Sequence, residues 1–194
     1  MLRGSPAHRR CLMGPSCTIR PTAGFNRISL FEMQIREALE SDLDALMAVF
    51  AAAVHDLAGR VYTREQCCAW APLPPDPDVW RARLARLHAR LACDGDEVAG
   101  FIGYTNQGHV DLLFTAPQHA RRGVASALFR AACADLRRAG AERVFAEASL
   151  AARPFFERHG LAVVAEEVVL RQGEALRRFR MEGALPSPHV PTAP

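Results

Sequence analysis

Pro117-Gln118-His119-Ala120-Arg121-Arg122-Gly123-Val124-Ala125-Ser126-Ala127-Leu128 is the stretch whose reading decides this chain. A strand-like run from His109 to Thr115 precedes it. A helix follows, with apolar positions at Val124, Leu128, Ala131, Ala132 and Leu136 and a stop at Gly140. Gly123 and Ala125 are small enough for backbone N–H groups to crowd toward an anion where the helix begins, and a helix start carries partial positive charge. The stretch therefore predicts a pyrophosphate-binding turn. Neither common alternative for phosphate is present: the chain has no lysine for a P-loop, and no G-x-G-x-x-G follows a strand.

A second stretch in the right order supports the first. Ser149-Leu150-Ala151-Ala152-Arg153-Pro154-Phe155-Phe156-Glu157-Arg158-His159-Gly160-Leu161 follows a strand that starts at Arg143. The two stretches together resemble the acetyl-CoA loop and the next motif, Asn-x-x-Ala-x-x-x-Tyr-x-x-x-Gly-Phe, of the GNAT superfamily of N-acyltransferases. The resemblance runs from about Ile35 to Met181 and is nearest to the YafP-like branch, through Tyr62-Thr63, Gln66, Ala69-Trp70, Asp111 to Pro117, Arg121 to Leu128, Ala152 to Gly160 and Arg180-Met181.

Composition bounds the remaining possibilities. With 194 residues, 49% of them hydrophobic, the chain suits one domain with a substantial core. The net charge of +3 comes from the first 31 residues, which hold five arginines and no acid; the rest sums to about −2. That balance argues against a nucleic-acid binder. No run reaches the ~18 apolar residues of a membrane span, and no signal peptide is evident, so a cytoplasmic protein is expected. The cysteines, Cys11, Cys17, Cys67, Cys68, Cys93 and Cys133, lack C-x-x-C spacing, so reduced thiols and no metal are expected. Residues 1–32 read as a disordered extension, with Met33 as an alternative start and a transit peptide as a competing reading. Residues 33–183 read as the domain and 184–194 as a proline-rich flexible tail.

Along the domain, Gln34 to Ala38 reads as a strand. Ser41 with Asp44 opens a helix whose apolar residues, from Leu43 to Leu57, end at Gly59. Thr63, boxed by Gln66, starts a short helix ending before Pro72, and Asp76-Pro77 starts a third. Strands follow at Arg90 to Cys93, Val98 to Tyr104 and His109 to Thr115, joined by turns at Asp94-Gly95-Asp96 and Asn106-Gln107-Gly108. After the phosphate helix come a strand at Arg143 to Ala148, a helix at Ala152 to His159, and a hairpin of Leu161 to Arg171 with Ala175 to Met181. This order is an α/β fold, an antiparallel meander followed by a β-α-β crossover, matching the mixed central sheet flanked by helices of GNAT domains.

The resemblance implies transfer of an acetyl group from acetyl-CoA, with no metal, to a primary amine of a small molecule or a protein. It implies that main-chain groups of Leu113, Phe114 and Thr115 pair with the pantetheine arm. Backbone N–H groups of Arg121, Arg122, Gly123, Val124, Ala125 and Ser126 would hold the pyrophosphate, and Ala152, Phe155 and Phe156 belong to the cofactor side. Ala120 stands where relatives carry Gln or Arg.

Amine acetylation needs a base and a way to protonate the leaving thiolate. Strict alternation places His109, Asp111, Leu113 and Thr115 on one face of their strand and Val110, Leu112 and Phe114 on the other. Asp111 and, on the neighbouring strand, Glu147 are the candidate bases, each weighed against an ordinary ion pair with arginine. His109 reads as a turn-flanking surface residue. Relatives use a tyrosine as the acid at the position of Phe156, and a phenyl ring donates no proton. Tyr62 is the preferred substitute, against a loop-anchoring role; Tyr104 is the only other tyrosine. His55, Tyr62, Trp70 and Trp80 are candidates for the acceptor wall. The missing tyrosine also keeps open a non-catalytic acyl-CoA sensor. The protein is expected to be a monomer or homodimer, without nucleic-acid or membrane partners.

Overall fold

A computed structural model describes residues 33–185. Readings of the N-terminal extension, of Cys11 and Cys17, and of the tail from residue 186 lie outside the described residues. The chain forms β1 (Gln34–Glu37), α1 (Leu43–Ala52), α2 (Arg64–Trp70), α3 (Pro77–Leu84), β2 (His88–Asp94), β3 (Glu97–Tyr104) and β4 (His109–Thr115). It continues with α4 (Val124–Arg138), β5 (Arg143–Ser149), α5 (Arg153–Arg158), β6 (Ala162–Arg171) and β7 (Glu174–Ala184). The seven strands make one mixed sheet in the order β1-β2-β3-β4-β5-β7-β6. Every neighbouring pair is antiparallel except β4 and β5.

Each sheet face carries its own apolar layer. On one, α4 sets Val124, Leu128, Phe129, Ala132, Cys133 and Leu136 against Ile102, Val110, Val144 and Ala146. That spacing covers a single helical stripe, which is why α4 lies flat on the sheet. On the other, Leu46, Phe50 and Val54 meet Trp80, Leu91, Phe101 and Leu112. α1 does not stop in one step: a π-turn (Ala53–Leu57) and a 3-10 turn (Ala58–Arg60) prolong it past Gly59.

The expected helix starts hold at α2, where Thr63 and Gln66 cap each other, and at α3, where Asp76 accepts from Asp78 and Val79 N–H. The expected Ser41–Asp44 start does not. A 3-10 turn covers Glu40–Asp42, because Arg36 grips Asp42 through two 2.7 Å bonds while Asp42 also accepts the Leu39 N–H at 2.7 Å. At the far end β7 runs through Ala184, and Leu185 donates its N–H to Glu142 O and packs on the core. Residues 184 and 185 therefore belong to the domain rather than to the tail.

One correction matters for the site. The β3–β4 register steps from Gly103↔Leu112 to Tyr104↔Val110, leaving Asp111 as an extra, bulged residue. Strict alternation thus fails. Val110 and Leu113 both pack on the α4 face, while Leu112 and Phe114 pack on the α1 face. The bulge leaves Asp111 beside α3, bonded to Arg83.

Candidate active site

β4 and β5 share only two pairs, His109↔Phe145 and Val110↔Ala146. Beyond them the strands separate, and the edge of β4 from Asp111 onward that faces β5 has no strand partner. Gly108 sits at the closed end of this split, where a Cβ would lie 2.1 Å from Arg143 O, so only glycine lets the chains meet there. An unpaired strand edge offers backbone donors and acceptors to any extended ligand laid beside it. Leu113, Phe114 and Thr115 are on this edge.

The split passes through the sheet. Its cavity is lined from the α4–α5 face by Leu113, Ala146, Ala148, Ala152 and Phe156, and from the opposite face by Phe50, Tyr62, Trp70, Asp111 and Glu147. An arm entering on one side and an acceptor on the other would meet between β4 and β5. Of the residues expected at the site, the structure brings Leu113, Phe114, Ala152, Phe156, Asp111, Glu147, Tyr62 and Trp70 to one cavity.

The turn of Arg121, Arg122 and Gly123 lies just past the open end of β4. Arg121 and Gly123 both take left-handed backbone conformations, with φ of 64° and 86°. Gly123 is the N-cap of α4 and supplies no side-chain cap, so the N–H groups of the first turn, Val124, Ala125 and Ser126, are left without an internal acceptor. Arg121 and Arg122 are exposed and form no ion pair among the described residues. The turn therefore fits an anion held by backbone donors and helix polarity.

Two acids reach the cavity, each with a partner. Asp111 Oδ2 accepts from Arg83 Nε at 2.7 Å. Glu147 Oε2 lies 2.6 Å from His109 Nε2, and the His109 ring stacks on Phe145 with centroids 5.0 Å apart. His109 is half-buried rather than a turn-flanking surface residue. The parallel register explains this: His109 stands opposite Phe145, and Glu147 is two residues further along the same face of β5.

Tyr62 is 7% exposed and its hydroxyl is engaged twice. It donates to Arg177 O at 2.6 Å and accepts from Leu150 N–H at 3.0 Å. Burial pushes its pKa upward, partly opposed by the Leu150 bond. These ties bind the loop before α2 to β7 and to the chain after β5. Trp70 packs edge-on against Tyr62 and Phe114. His55 does not line the cavity; its Nε2 bonds Ala71 O at 2.9 Å, closing the π-turn onto the end of α2. Trp80 is core, edge-on to Phe50 and Phe101. Phe155 lies outside the cavity, packed against Phe129 and His159. Tyr104 is remote as well, bonded to Asp135.

Four arginines around the cavity, Arg83, Arg171, Arg177 and Arg178, escaped the sequence reading. They come from α3, the β6 tip and β7, and no local motif joins them. Among the described residues no group of three or more His, Cys, Asp or Glu is placed to hold a metal ion, and no helix is long and apolar enough to cross a membrane. Cys67, Cys68, Cys93 and Cys133 are free.

Comparison with known proteins bears on the same region. A profile of the acetyltransferase (GNAT) domain matches residues 59–182. The chain is 34% identical over 149 residues to the uncharacterized N-acetyltransferase YafP of Escherichia coli (strain K12), covering 77% of this chain and 94% of that protein. A GCN5-related N-acetyltransferase crystal structure from Rhodopseudomonas palustris superposes with a TM-score of 0.75 at 28% identity, over 78% of this chain and 95% of that one. The yncA protein of Salmonella typhimurium, solved with its cofactor acetyl-CoA, shares the fold with a TM-score of 0.61 at 19% identity, over 84% and 99% of the chains.

Proposed function

This chain belongs to the acetyltransferase (GNAT) family and is an N-acetyltransferase that draws its acetyl group from acetyl-CoA, and on that premise we propose how its own residues divide the work. The observation that carries the reading is the split between β4 and β5, a free strand edge beside the uncapped start of α4. The α4 turn from Arg121 to Ser126 holds the pyrophosphate through backbone N–H groups. The edge at Leu113, Phe114 and Thr115 pairs with the pantetheine arm, and a backbone N–H there polarises the thioester carbonyl. Ala152 and Phe156 wall the arm from the α5 side.

The acceptor enters from the opposite face, past Tyr62, Trp70 and Phe114. Glu147 takes the proton from the ammonium, and His109 behind it holds the carboxylate in place and accepts or returns charge. Asp111, held through Oδ2 by Arg83, keeps Oδ1 at the cavity to accept a hydrogen bond from the incoming ammonium. The neutral amine attacks the carbonyl carbon, the C–S bond breaks, the attacking nitrogen gives up its second proton to water, and the neutral amide leaves with coenzyme A. Tyr62 serves as a positioning residue: its proton is committed to Arg177 O, so the thiolate takes its proton from water. A base in the gap favours transfer over a passive acyl-CoA sensor.

The test is release of coenzyme A from acetyl-CoA in the presence of primary amines, compared between the native chain and Glu147→Gln. Amine-dependent release that collapses in the variant supports the reading. Release that is equal in both removes Glu147 from the mechanism.

A further inference from the structure

The acceptor side carries more positive charge than amine acetylation uses. Four lining arginines face two lining carboxylates. Three of the arginines are answered: Arg83 by Asp111 at 2.7 Å, Arg178 by Glu167 at 2.9 Å and Arg177 by Glu166 at 3.3 Å. The Arg171 side chain has no ion pair and no hydrogen bond among the described residues. Arg171 is exposed as a whole residue, but crowding around its guanidinium and the nearby Arg83 and Arg178 charges push its pKa downward, against the smaller pull of Asp111.

The backbone of the hairpin that carries it is tied down. Arg171 ends β6 opposite Glu174, and the tip that carries it is tied over the cavity by Gln66 Nε2 donating to Ala175 O at 2.8 Å and by Tyr62 donating to Arg177 O. An unanswered guanidinium held at a binding cavity, across from acids that attract an ammonium, is complementary to a ligand with both charges.

We propose that Arg171 is an anion subsite of the acceptor pocket and that the acceptor is a small amine that also carries a carboxylate. The inference rests on the acetyl-transfer reading of the same gap. One unanswered cation matches the single charge of a carboxylate better than the −1.5 to −2 or so of a phosphate ester. An amine with no anion leaves Arg171 unpaired, and a rigid planar fork takes a carboxylate through two parallel bonds.

The experiment measures binding by calorimetry to the full chain saturated with coenzyme A. Matched amines are compared: phenylalanine with phenethylamine, ornithine with putrescine, γ-aminobutyrate with propylamine, and phosphoethanolamine with ethanolamine. At least one carboxylate-bearing amine binds tighter than its partner by about tenfold or more, the scale of one charge-assisted bond. Arg171→Gln brings that pair within about threefold while coenzyme A affinity stays as it was. In turnover the variant raises KM for the carboxylate amine more than it changes kcat.

Four results overturn the proposal: no carboxylate amine outbinding its partner, a preference that survives Arg171→Gln, a phosphate amine preferred over every carboxylate amine, or a variant that loses coenzyme A affinity instead. Because binding is read without turnover, Arg171-dependent binding with no acetylated product refutes only the transfer reading. The anion subsite then stands.

Discussion

His109 Nε2 lies 2.6 Å from Glu147 Oε2; His109 belongs to the short stretch where β4 and β5 still run as a parallel pair, and Glu147 is the first residue of β5 beyond it. The acid of the gap is therefore held from the closed end of the split, by the last ladder rungs before the strands part. Glu147→Gln should lower turnover by about 10²–10⁴, the range of general base catalysis, and leave acetyl-CoA affinity unchanged. His109→Asn should cost less, since it alters the partner of the base and not the base. Asp111→Asn, whose carboxylate is already committed to Arg83, should lower turnover least of the three. Rate profiles against pH for the three variants check this order, and a larger loss at Asp111 would exchange the roles.

Tyr62→Phe removes the hydroxyl that serves Arg177 O and Leu150 N–H. Leaving two backbone groups without their partner should destabilise the chain by about 1–3 kcal/mol in urea unfolding, with amine KM rising as the wall loosens. Preserved stability together with loss of the alkaline limb would make Tyr62 the proton donor after all.

Asp135 accepts hydrogen bonds from Arg90, Tyr104 and Arg138 on the side of the sheet away from the gap. Burial alone raises its pKa, but those bonds outweigh it and hold the carboxyl below its ordinary value, while burial and the Asp135 contact push the Tyr104 hydroxyl up to about 12. A folded-state pKa below the unfolded one gives stability that is complete above about pH 4 and is lost as pH falls through the folded value. Asp135→Asn should therefore lower the urea midpoint clearly at pH 7 and much less at pH 3, and an equal difference at both would deny the linkage.

Element order, the two helix caps at Thr63 and Asp76, the glycine-capped turn into α4 and the strand before it were all legible because each is written in consecutive residues. The bulge at Asp111 was not: one extra residue in β4 leaves apolar spacing nearly intact yet puts Val110 on the same face as Leu113. The His109–Glu147 pair depends on the register of two strands separated by a whole helix, which no local pattern records. Likewise no local pattern singles out Arg171, Arg177 and Arg178 until the hairpin is seen tied over the cavity. Phe156 was legible as a departure from the family pattern, and it lies 3% exposed between the cavity and Phe129.

The central claim is that the glycine-capped start of α4 beside the open edge of β4 is where acetyl-CoA binds, and Gly123→Glu tests it most directly. The substitution places a β-carbon in a left-handed backbone position and a carboxylate where the turn offers its N–H groups to a phosphate. Calorimetric titration with acetyl-CoA, run beside circular dichroism, should show a native spectrum and affinity weakened by about 100-fold or more, the scale of losing several charge-assisted bonds. Unchanged affinity in a natively folded variant would contradict the account.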